Sequence, residues 1–164
     1  MDMINDEQSV FDSVWERVTE ASCCGSPADV HGKSDEDILA ALIGSEAENG
    51  SFYSAAARSA GTNCAALFKS LAAASAKRLG RLQTLYFLTN GNNCSAEPSY
   101  THKPQSALSA LRGAYWRESD MASRLISAAG TISSGKFSSC AADFAKQSAE
   151  NAERIMQFID KIMK

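Results

Sequence analysis

Apolar residues recur at helical spacing along most of the chain, and the breaks between these runs carry turn residues. Val10, Phe11, Val14, Trp15 and Val18 share one face of a segment from about Asp6 to Glu20, which predicts a short amphipathic helix that packs across whatever follows. Residues 22–33, with Gly25, Pro27 and Gly32, read as a loop. Ser34 followed by Asp35, Glu36 and Asp37 is a helix start, because a serine cap and early acids satisfy the unpaired first-turn N–H groups. The helix it opens runs to about Ala60, with Leu42, Glu46, Asn49 and Tyr53 on one stripe.

Gly61, Thr62 and Asn63 punctuate the chain before a second long helix, which ends near Asn90 and Gly91 and carries Leu67, Leu71, Ala74, Leu82, Leu85 and Tyr86 on its apolar face. Residues 92–103 are polar and contain Pro98, and Pro104 suits the first turn of a third helix presenting Leu108, Leu111, Tyr115, Ala122, Leu125 and Ala129. A short turn over 131–135 precedes a fourth, from about Lys136, with Phe137, Cys140, Phe144, Ile155, Phe158, Ile159 and Ile162 on its apolar side. No alternating β-branched run appears, so the fold class is all-α.

The expected architecture is an up-down four-helix bundle over 34–164, with residues 1–33 as an N-terminal helix and loop packed on it. Two tight hairpins are joined by the longer polar segment. Extended, that segment spans about 40 Å at roughly 3.3 Å per residue, close to the length of a helix of about 28 residues. One long crossover is therefore geometrically allowed.

Composition narrows the function classes. The chain has 164 residues, 45% of them hydrophobic and 21% charged, enough to bury one sizeable core. A formal net charge of -3 and no run of Lys and Arg argue against nucleic acid as a partner. No apolar stretch is long enough to span a bilayer and the first residues are acidic and polar, so no membrane is expected and the protein reads as cytoplasmic. Five cysteines, Cys23, Cys24, Cys64, Cys94 and Cys140, are an odd number with no CxxC pair, which favours free thiols over a disulfide framework or a zinc site. His31 and His102, the only histidines, fall in expected loops. Motifs for hydrolases, nucleotide binding and zinc proteases are absent.

Four segments carry a resemblance. LIGSEAENGSFYSAAARSA, LFKSLAAASAKRLGRLQTLYFLTNG, ALRGAYWRESDMASRLISAAG and FAKQSAENAERIMQFIDKIM resemble, in order, the four bundle helices of the ferritin-like, rubrerythrin-related di-iron proteins, over about 34–164. The resemblance implies a metal pair held by one Glu from each of two helices and a Glu-x-x-His from each of the other two. Glu46 and Glu118 match the two single carboxylates. The two Glu-x-x-His pairs fall on Ser75 and Arg78 and on Ser148 and Asn151, so neither pair of ligands is retained.

Replacing two carboxylates and two imidazoles by two hydroxyls, an amide and a guanidinium removes donors and adds a repelling cation. Arg78 lies seven residues after Leu71 and four before Leu82, on the inward stripe. Its forked guanidinium is expected to act as counter-charge to Glu46 and Glu118 in place of metal, with Ser75, Ser148 and Asn151 meeting the remaining lone pairs. Glu48 and Asp120 point away from that stripe. Tyr53, Tyr86 and Tyr115 are expected on inner faces as core aromatics, and Cys140 as an inert core thiol.

The favoured function is thus a non-enzymatic structural or interaction module of degenerate ferritin-like type, with no catalytic residue and no cofactor. The alternative is a metal-binding oxidoreductase holding iron or manganese through Glu46, Glu118 and water. The apolar face around Phe11 and Trp15 would serve either to cover the bundle or to pair protomers, which leaves a homodimer or an unknown protein partner as expectations.

Overall fold

The computed structural model describes residues 34–98 and 106–164. The expected N-terminal helix, the Cys23–Cys24 pair, His31, His102 and Pro104 lie outside the described residues. Residues from Ser34 to Lys164 belong to one compact unit. Its regular structure is four α-helices, α1 (Asp35–Ser59), α2 (Thr62–Asn90), α3 (Ala107–Thr131) and α4 (Gly135–Met163), and no strand occurs among the described residues.

Local chemistry fixes the ends. The Ser34 hydroxyl accepts from the Asp37 N–H while the Asp37 carboxylate accepts from the Ser34 N–H, which closes a capping box, and Asp35, Glu36 and Asp37 complement the positive end of α1. Gly91 ends α2 in the left-handed region at φ 75°, a conformation that costs a Cβ-bearing residue energy. The third helix starts later than a Pro104 first turn would place it. Ser106 is extended and its hydroxyl accepts from the Ser109 N–H, so a side-chain cap, rather than proline geometry, sets the start.

Contacts along the helices give their directions. Tyr86 reaches Glu36 near one end of α1 and Ser75 reaches Glu46 further along, so α1 and α2 are antiparallel. Arg124 meets Ser45 and Arg117 meets Asn49, so α1 and α3 are antiparallel as well. Ser138 reaches the Ala129 carbonyl and Asn151 reaches Glu118, which makes α3 and α4 a second antiparallel pair. It follows that α2 and α3 run the same way, and the chain between Gly91 and Ser106 joins opposite ends of the bundle. The α1–α2 and α3–α4 interfaces are extensive, α1 also packs on α3, and α2 meets α4 only slightly.

The buried side chains fall into two apolar clusters. One gathers Phe52, Tyr53, Phe68, Leu71, Leu111 and Ile155 with their neighbours. The other gathers Leu39, Ile43, Leu82, Met121, Leu125 and Phe137. Between them each helix contributes polar residues to a layer that crosses the whole core: Glu46 and Asn49 from α1, Ser75 and Arg78 from α2, Glu118 from α3, Ser148 and Asn151 from α4.

Some residues expected in the core sit further out. Cys140, Phe144 and Phe158 are half-buried and Ile162 is exposed, because α4 outruns the core at its C-terminal end and only slightly approaches α2 near its start. Tyr115 is also half-buried, edge-on to Trp116.

At Gly113 α3 comes close to α1: an added Cβ would stand 2.9 Å from the Phe52 ring. That ring is fixed between an edge-on Tyr53 and the Arg117 guanidinium, 4.5 Å above its centroid. Gly113→Ala should therefore lower stability by about 1–3 kcal/mol through overpacking, outweighing the roughly 1 kcal/mol by which alanine favours a helix. Gly44→Ala, where the new methyl meets nothing within 4 Å, should raise it by up to about 1 kcal/mol. Urea unfolding of both variants checks this; a gain at Gly113 equal to that at Gly44 would refute the close contact.

Candidate functional site

The polar layer is organised around Arg78, the largest side chain that is fully buried. The seven-residue step from Leu71 and the four-residue step to Leu82 put it on the inward face of α2. Its Nε donates to Glu46 Oε1 at 2.6 Å, and its Nη2 donates to Glu118 Oε1 at 3.0 Å and to Glu46 Oε2 at 3.4 Å. One guanidinium thus bridges carboxylates on two other helices, which its planar fork of donors allows and a lysine ammonium would not.

The remaining acceptors are shared among three neighbours. Ser75 Oγ lies 2.6 Å from Glu46 Oε2 and 3.0 Å from the Glu46 carbonyl. The Tyr53 hydroxyl donates to Glu118 Oε1 at 2.8 Å, and Asn151 Nδ2 donates to Glu118 Oε2 at 3.3 Å. At the rim, Arg117 donates to Asn49 Oδ1 at 3.1 Å.

Of the six positions singled out from the sequence, Glu46, Ser75, Arg78, Glu118 and Asn151 form one connected network. Ser148 is buried in the same layer, but its hydroxyl makes no hydrogen bond to the described residues, and neither does Arg78 Nη1. The expectation that Ser148 would meet a carboxylate lone pair is therefore corrected: Tyr53 takes that place. Tyr53 was expected only as a core aromatic. Its position seven residues after Glu46, two turns along the same stripe, was the available signal. Glu48 and Asp120 are exposed, the latter paired with Arg124.

Burial pushes the Glu46 carboxyl above its ordinary value of 4.5, against the pull of Arg78 and Ser75. Arg78 pays the same desolvation, but two carboxylates outweigh it and hold the guanidinium firmly charged. Burial and the Glu118 carboxylate likewise raise Tyr53, which stays a donor. Two carboxylates against one guanidinium would leave a buried negative charge, which the interior disfavours. A raised Glu46 carboxyl takes up a proton more readily, which relieves that excess of negative charge.

No family model, curated protein or solved structure matches the chain. What the site can do is therefore read from its own donors. Two carboxylates lie in this layer, both engaged by Arg78, and no histidine occurs among the described residues. No group of three or more His, Cys, Asp or Glu with metal-binding placement occurs among the described residues. The donor set does not fit a di-metal centre, because the guanidinium occupies the space between the carboxylates and repels a cation.

Arg78→Ala strands two buried carboxylates and should destabilise by roughly 3–5 kcal/mol, with Glu46→Gln and Glu118→Gln added to it recovering part of the loss. An unchanged thermal midpoint in Arg78→Ala would refute the counter-charge role. Because the folded-state value of Glu46 is raised, the native state holds this proton more tightly than the unfolded chain does. The contribution of Glu46 to stability is then greatest below 4.5 and declines as pH rises from there through its raised folded value. The difference in unfolding free energy between the protein and Glu46→Gln should fall with rising pH across that window; a pH-independent difference would refute the raised carboxyl.

Proposed function

We propose that the chain is a ferritin-like bundle whose metal-pair position is filled by a protein-only ion network, and that it serves as a non-enzymatic structural or interaction module. The single observation that carries this reading is Arg78, fully buried and bonded to both Glu46 and Glu118. A cation fixed in the protein supplies the positive charge that the two carboxylates require, and it does so without exchangeable coordination positions. Enzymes of the di-iron type need such open positions to bind and activate a small substrate. The parallel run of α2 and α3, and the meeting of Glu46, Ser75, Arg78, Glu118 and Asn151 at one level, support the ferritin-like element of the proposal.

The test is metal content. Protein expressed with iron, manganese and zinc supplied, and gel-filtered without chelator, should carry far less than one equivalent of each by elemental mass spectrometry, as should the Glu46→Ala/Glu118→Ala double variant. Near-stoichiometric metal in the protein that disappears from the double variant would overturn the proposal and favour an oxidoreductase using those two carboxylates.

A further inference from the structure

The slight contact between α2 and α4 leaves a groove along that seam. Two adjoining cavities of about 580 and 350 Å³ open there, and both are lined by Lys77, Arg81, Lys136 and Cys140. The groove exists because α2 presents small residues to it: at Gly80 an added Cβ would meet nothing within 4 Å. It is separate from the buried network, since Lys77 and Arg81 are exposed while Ser75 and Arg78 face the core.

Three cations converge on this groove in a chain whose net charge is -3. Lys77 and Arg81 are one turn apart on α2, so their side chains emerge on the same side. Lys136 lies in the first turn of α4, a turn with no acidic residue, where the helix dipole adds positive potential. Against these three the lining offers one carboxylate, Asp143, and none of the three cations is in an ion pair with a described residue. Leu85 and Phe144 supply apolar wall on either side of the charged stretch.

We infer that this seam binds a small phosphate monoester, with Arg81, Lys77 and Lys136 holding the phosphate and the apolar wall taking the organic group. A monoester carries about -1.5 to -2 charges near neutral pH, which balances the excess of cations. Arginine can grip phosphate oxygens in bidentate fashion while lysines act as point charges. The larger cavity falls within the range of about 300–1,000 Å³ usual for small-molecule sites, ample for more than an inorganic ion. Cys140 provides a reporter at the same place: burial pushes its thiol up while the neighbouring Arg81 pulls it back, so an anion that draws off Arg81 changes its surroundings directly.

Phenyl phosphate is the probe. Titration calorimetry on the full chain should show one site, with affinity at least tenfold weaker in Arg81→Gln and lost in the Lys77→Gln/Arg81→Gln/Lys136→Gln triple variant. Phenyl sulfate, with one charge, should bind at least several-fold more weakly than phenyl phosphate. Bound phenyl phosphate should also slow maleimide labelling of Cys140, followed peptide by peptide in mass spectrometry, without slowing that of Cys94. These substitutions are on the surface, and a circular-dichroism melt coincident with that of the unaltered protein shows the fold is kept. Absence of binding up to about 10 mM, or binding that survives in the folded triple variant, would overturn the inference.

Discussion

The rest of the core is arranged around one buried cation. Arg78 on α2 bonds Glu46 of α1 and Glu118 of α3 at the same level of the bundle. Breaking either partnership leaves a charge without a counterpart in a medium that solvates it poorly, a penalty of several kcal/mol. Apolar contacts alone would tolerate a helix sliding by a turn, since leucine and alanine stripes repeat. The guanidinium does not tolerate it, so the register of three helices is set together.

That constraint explains why the hydrophobic core is split. Phe52, Phe68 and Ile155 fill one half and Leu39, Leu82 and Phe137 the other, with seven buried polar or charged residues between them. The halves supply the apolar burial that drives collapse. The layer between them adds direction: carboxylate, guanidinium, hydroxyl and amide groups bond only at particular angles and distances. The groove between α2 and α4 lies on the outside of the same layer, where the helix that buries Arg78 turns Lys77 and Arg81 outward to solvent.

Much of this was legible in the chain. Ser34 with Asp37 and Gly91 marked the start of α1 and the end of α2, because caps and left-handed positions are local chemistry, whereas Thr62 and Asn63, expected in the turn, belong to α2. The inward stripes placed Glu46 and Arg78 in the core, since helical spacing decides which side of a helix a residue faces, and Glu118 was pointed to by the resemblance. The start of α3 was less legible: proline geometry pointed to Pro104, whereas α3 begins at Ala107 behind the Ser106 cap. Which hydroxyl reaches Glu118 could not be read at all, for Tyr53 and Ser148 share the layer and only three-dimensional distance separates them. Nor could the basic groove, whose cations are far apart in sequence and meet only because α4 begins beside the middle of α2.

The network also divides unequally between the two hairpins. The α1–α2 pair holds Glu46 and Arg78 and could neutralise itself, whereas the α3–α4 pair holds Glu118 with only Asn151 to answer it. Separated from its partner, the second hairpin would carry an apolar face interrupted by a bare carboxylate. Each half thus has a different reason to need the other, one to cover its apolar surface and the other to compensate its charge as well. The bonds from Arg78 to Glu46 and to Glu118 tie the two hairpins together through charge as well as through apolar contact.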